Sequence, residues 1–181
     1  KLEYAGFVRL GAMSPDLCQP FDQNRKGLIL GEGSTMLILE SEEAVVRRGA
    51  TPLAEVGGYG LACDAHHITR PHPEGEGSIS AMRQAIRASG LTVDDIDHIN
   101  AHGTSTPQGD ACETQAIKSV FGDHAHRLAV SSTKGATGHM LGAAGGVEVA
   151  PRGQDRLSSF TGQRTTRAGS GTRRTTPVTA A

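Results

Sequence analysis

Aromatic side chains make up only 3% of this 181-residue sequence, and its formal net charge is −1. A nucleic-acid surface needs a basic footprint and rings on which bases stack, so no nucleic-acid partner is expected. Long apolar runs are missing as well: no stretch approaches the roughly 20 residues that span a bilayer. The opening residues Lys1-Leu2-Glu3-Tyr4 show neither the apolar core nor the cleavage pattern of a signal peptide. No membrane partner is expected, and the cytoplasm is the expected compartment. Cysteine is scarce. Cys18, Cys63 and Cys112 are odd in number and widely scattered, which reads as free thiols rather than a disulfide framework.

What is present divides unevenly. Up to Ala150 acids outnumber bases, whereas from Pro151 onward there are six arginines, no lysine and the single acid Asp155. Leu157, Phe160 and Val178 are too isolated there to define a buried face. The length suits one core-bearing domain with an appendage. Residues 1–150 therefore read as a single domain, and 151–181 as a divergent Arg/Thr-rich tail, disordered or loosely attached. Such a tail either makes an Arg-rich anionic contact or has no function.

Inside 1–150, strand and helix signals alternate. Residues 34–40 are a short apolar run of strand length. Ser41 then offers an N-cap, Glu42 and Glu43 suit the positive end of a helix, Arg47 and Arg48 its negative end, and Gly49 a stop. Residues 52–59 read as another strand, followed by a Pro- and His-containing loop through Gly77. From 78 to 89, Ile79, Met82 and Ile86 fall at helical spacing until Gly90 ends the pattern. Thr92 with Asp95 makes a capping signal. Strands over 96–101 and 128–132, a helix over 110–121 and a small-residue helix over 138–150 complete the pattern. Strands separated by helices imply a layered α/β sheet.

Two histidines stand apart by position. His102 follows the strand 96–101, and ligand crevices in open α/β sheets form beyond the carboxyl ends of strands. His139 falls in the first turn of the last helix, whose positive end disfavours imidazolium and leaves a neutral ring with an N–H to donate. Lys134 follows the strand 128–132 toward the same crevice, and Thr104, Ser105 and Thr106 add hydroxyls beside His102. A lone histidine at a strand end is more often structural than functional. The words around these two separate them from that background.

Asn100-Ala101-His102-Gly103-Thr104-Ser105-Thr106-Pro107-Gln108-Gly109-Asp110 and Ser131-Ser132-Thr133-Lys134-Gly135-Ala136-Thr137-Gly138-His139-Met140-Leu141-Gly142-Ala143-Ala144-Gly145-Gly146 closely resemble the two histidine motifs of the β-ketoacyl-acyl-carrier-protein synthases. Pro20-Phe21-Asp22-Gln23-Asn24-Arg25-Lys26-Gly27 and Gly31-Glu32-Gly33 resemble the family's segment ahead of the second half of its fold. Asp64-Ala65-His66-His67-Ile68-Thr69, with Pro71-His72-Pro73-Glu74-Gly75, resembles the elongating (KAS II-like) enzymes of dissociated fatty-acid synthesis. The resemblance covers about residues 19–149 and ends at the tail.

The resemblance implies an α/β chain carrying the carboxy-terminal half of a thiolase-like fold, a mixed sheet layered with helices, present in part. It implies a 3-oxoacyl-acyl-carrier-protein synthase, which joins an acyl thioester to malonyl-carrier protein by decarboxylating Claisen condensation. By motif position His102 assists decarboxylation, His139 donates a hydrogen bond to the thioester oxygen, and Lys134 orients the pair with Glu148 beside it. Thr104 and Thr106 match positions that bind the pantetheine arm; Asp110 and Glu113 match structural acids that fix the His102 loop. No resident cofactor or metal is implied, the substrates being carried on the phosphopantetheine of acyl-carrier protein. The implied partners are that carrier protein and a second copy in a homodimer.

Departures from the family pattern set further expectations. Its nucleophilic cysteine belongs to the first half of the fold, and Cys18, Cys63 and Cys112 match bland positions, so the isolated chain is expected to be inactive. An out-of-frame origin would explain the missing periodicity of 151–181. Three rivals remain: zinc on Cys63, His66 and His67, disfavoured because adjacent histidines rarely share an ion; a non-catalytic partner subunit of a polyketide ketosynthase pair; and an inactive truncated remnant.

Overall fold

The structure, a computed structural model, describes residues 2–149 and 175–179. Helix α1 (Leu2–Arg9) is followed by a loop that bridges back on itself between Met13 and Leu28. Helix α2 (Glu42–Arg47) forms as its signals predict, with the Ser41 hydroxyl accepting from the Ala44 amide. Strand β1 (Glu55–Gly60) then leads to α3 (Glu76–Ser89). That helix starts two residues earlier than the apolar spacing suggests, because Gly75, at φ 67°, supplies the left-handed entry. Thr92 and Asp95 form the expected capping box, on a single 3-10 turn (Val93–Asp95).

Strand β2 (His98–Asn100), helix α4 (Pro107–Phe121) and strand β3 (Ala129–Ser131) form a parallel β–α–β unit. Helix α4 begins at Pro107, where a missing N–H is harmless and φ is already helical. Its inner face packs with α3. Met82, Ile96, Ala116, Ile117 and Phe121 form the core, and Ile79, Ile86, Ile99 and Leu128 pack against it. Strand β1 lies against α3 through glycine: a Cβ on Gly58 would stand 2.5 Å from the Ala85 carbonyl oxygen, and one on Gly60 2.0 Å from that of Ala81.

Two expectations are corrected. Residues 34–40 form no strand, and Met36, Ile38 and Leu39 are exposed. An apolar run becomes a strand only beside another strand, and none pairs with it among the described residues. The helix drawn over 138–150 is broken: α5 (Lys134–Thr137) ends at Gly138, a 3-10 turn spans Leu141–Ala143, and α6 (Ala144–Val149) follows. Gly138 at φ 71° and Leu141 at φ 52° are incompatible with one continuous helix. The expectation of a loose tail over 151–181 lies outside the described residues except at β4 (Thr175–Thr179), which runs parallel to β1. At those five residues the chain is a strand.

Candidate active site

The loop after β2 is held from below by carboxylates of α4. Glu113 accepts the amides of His102 and Gly103, each at 2.7 Å, one on each oxygen. Asp110, buried one turn earlier, accepts the Ser105 amide at 3.0 Å and the Phe21 amide at 2.7 Å, with Arg25 at 3.6 Å. Loss of water pushes both carboxyls up, against the lowering effect of those bonds. Asp110 and Glu113 together accept four hydrogen bonds from backbone amides. Thr104 and Thr106 face one another, their hydroxyl oxygens 3.0 Å apart.

His139 arrives from the other side. Its amide donates to Ile29 at 2.7 Å and its carbonyl accepts from Gly31 at 3.0 Å, so a segment far upstream fixes its backbone. Its Nδ1 accepts the Leu141 amide at 3.2 Å. That bond places the ring proton on Nε2, which makes Nε2 the donor. The ring of Phe7 stands 6.4 Å away.

The two imidazoles meet. Their centroids are 5.3 Å apart and the rings are nearly perpendicular, at 85°. Burial pushes the His102 ring down to about 4, with the positive charge of Lys134, and that of His139 once it is protonated, adding to the effect, although the residue still opens onto solvent. His139 is lowered by burial and then by Lys134. Both rings are neutral donors near pH 7. The expected cause is corrected: His139 precedes the 3-10 turn instead of starting a helix, so burial and Lys134, rather than a helix dipole, hold it neutral.

Lys134 is 1% exposed and its Nζ donates to Glu148 Oε1 at 2.6 Å. The resemblance foresaw this pairing, whereas Ser132, whose hydroxyl donates to the Gly103 carbonyl at 2.8 Å, was missed. So were Phe21, Arg25 and the Ile29–Gly31 anchor, all joined to the site across long sequence separations. Cys63, His66 and His67 do not converge: His66 faces His72, and His67 Nδ1 accepts the Thr69 and Arg70 amides. Among the described residues no group of three or more His, Cys, Asp or Glu is arranged as metal ligands. A groove of about 950 Å³ between α3 and α4 includes neither His102 nor His139.

The motif segments and the paired rings they build match a known family on two counts. The description "Beta-ketoacyl synthase, C-terminal domain" fits residues 53–151, and "Beta-ketoacyl synthase, N-terminal domain" fits residues 1–44. The chain belongs to the β-ketoacyl synthase family. Among its relatives, the mitochondrial 3-oxoacyl-[acyl-carrier-protein] synthase of Arabidopsis thaliana is 53% identical over 156 residues, covering 81% of this chain and 34% of that protein. The 3-oxoacyl-[acyl-carrier-protein] synthase 2 of Coxiella burnetii is 52% identical over 153 residues, covering 81% and 37%. A solved type II PKS acyl-carrier protein in complex with its ketosynthase bound to the hexaketide superimposes with a TM-score of 0.80 at 34% identity, over 84% of this chain and 39% of that one. The chain therefore spans about a third of the length of these synthases, and its fold is the corresponding part of the thiolase-like fold.

Proposed function

We propose that this chain carries the decarboxylation and oxyanion half of a 3-oxoacyl-acyl-carrier-protein synthase active site, serving fatty-acid elongation. The pair of neutral imidazoles 5.3 Å apart carries the reading. Loss of carbon dioxide from a malonyl thioester leaves two electrons that delocalise onto the thioester oxygen as an enolate. A neutral Nε2–H donor meets that charge without giving up a proton, and one preorganised donor of this kind is worth about 10²–10³ in rate. His139 has such a donor, fixed by the Leu141 amide. His102 serves the departing carboxylate, while Lys134 with Glu148 maintains the field that holds both rings neutral.

The rest of the reading extends from family membership. Thr104 and Thr106 offer adjacent hydroxyls to the amide groups of a pantetheine arm. The partners are acyl-carrier protein, which delivers the thioesters on phosphopantetheine, and a second synthase subunit in a homodimer. No resident metal or cofactor takes part. The compartment is the cytoplasm, a reducing setting with which the three free thiols agree. None of those thiols is the nucleophile of this reading: burial pushes Cys18 and Cys112 up, away from thiolate, and Cys63 is an exposed thiol. The partner-subunit alternative loses weight because both histidines are present and converge.

The test is to join the chain, by fusion or in trans, to the amino-terminal half of the Coxiella relative, and to assay condensation of acyl- with malonyl-carrier protein. His102→Ala should abolish condensation while acyl transfer to the supplied cysteine persists. Equal condensation in parent and mutant refutes the assignment.

A further inference from the structure

We infer that Phe21 is a positioning residue for His102, acting through Gly103; the inference rests on the role proposed for His102. Phe21 has φ 64°, a left-handed conformation that strains a bulky side chain. Strain of this kind persists only when the surroundings impose it. Here the Phe21 amide donates to Asp110 at 2.7 Å, and Arg25 of the same loop donates to the Thr106 carbonyl at 3.3 Å and to that of Pro107 at 2.6 Å. The loop is thereby locked to the start of α4.

So held, the ring of Phe21 closes one side of Gly103. A Cβ on Gly103 would lie 2.9 Å from Phe21 Cε2 and 2.5 Å from Ser132 Cβ, and the glycine itself has φ 39°. The backbone leaving His102 runs between two jaws. Glu113 fixes the N–H of Gly103 and the Ser132 hydroxyl fixes its carbonyl, which leaves the Phe21 side as the wall that no hydrogen bond secures. Without the ring, the Gly103 unit can rotate away from Ser132, and the His102 side chain follows it out of the edge-on arrangement with His139.

The experiment compares Phe21→Leu, which keeps apolar bulk but removes the ring, with Phe21→Tyr, which retains it. Imidazole nitrogen resonances of His102 and His139 are recorded on the full chain, together with amide exchange along it. Phe21→Leu should shift the His102 resonances and speed exchange at His102 and Gly103 about tenfold, the protection of roughly one hydrogen bond. His139 and the core amide of Ile117 should not change, and Phe21→Tyr should match the parent. The inference is overturned if His102 is untouched in Phe21→Leu, if exchange rises along α4 as much as at Gly103, or if Phe21→Tyr behaves as Phe21→Leu. None of these readouts needs turnover. A His102 that shifts in Phe21→Leu yet proves dispensable for condensation refutes the proposed function and leaves the positioning role standing.

Discussion

Replacing Lys134 with methionine removes one charge from a pair that water barely reaches. The lysine side chain is 1% exposed and that of Glu148 11%, with nitrogen and oxygen 2.6 Å apart. An exposed ion pair is worth about 0.2–1 kcal/mol, but deleting one partner of a buried pair strands the other charge and costs about 3–5 kcal/mol. The Thr133 hydroxyl at 3.4 Å cannot neutralise the remaining carboxylate. Lys134→Met should therefore lose about 3–5 kcal/mol in urea unfolding, a large share of the roughly 5–15 kcal/mol typical of a whole domain. The double variant Lys134→Met/Glu148→Leu, which removes both charges, should recover most of that loss. A second signature is electrostatic: with the positive charge gone, the pKa values of His102 and His139 both rise, while burial keeps them below the ordinary imidazole value. A single-variant loss below about 1 kcal/mol, the surface-pair range, refutes the burial argument. A double variant no more stable than the single refutes the stranded-charge argument.

Titrating the His102 ring by NMR should give a midpoint near 4 instead of near 6.5. Because the folded ring resists a proton that the unfolded chain accepts below 6.5, stability is unaffected above that pH, falls as pH drops toward 4 and levels off below it. A midpoint near 6.5, or stability flat across that window, contradicts it. Asp110→Asn retains one acceptor oxygen where two amides, Phe21 and Ser105, now bind. One of them is left facing an NH₂ group, so about 1–3 kcal/mol should be lost by denaturant unfolding, with faster exchange at one of those two amides.

Local signals were legible where they were self-contained. The Ser41 cap, the Gly90 stop, the Thr92–Asp95 box and the apolar stripe of α3 all sit within one turn or one helix of the residues they organise. The run 34–40 was not legible, since strand formation depends on a neighbour that the run itself cannot announce. The break at Gly138–Leu141 was hidden for a related reason: small residues permit a helix, yet the backbone of His139 is claimed by Ile29 and Gly31. In the site, the resemblance of the motif words to a known family brought out His102, His139, Lys134 and Glu148. Phe21 and Arg25 were noted only as part of a family segment and given no place in the site, since their partners Asp110, Thr106 and Pro107 lie on another part of the chain.

The anchoring of His139 by Ile29 and Gly31 sets where this protein can be divided. Those two residues fall within the part matched by the amino-terminal family description, His139 within the part matched by the carboxy-terminal one. A cut between residues 44 and 53, the obvious seam by sequence, would leave both histidine motifs intact on the second fragment and still release the backbone of one of its two imidazoles. The working unit is defined by that short ladder, and a designer grafting this histidine pair must carry the upstream strip along with it.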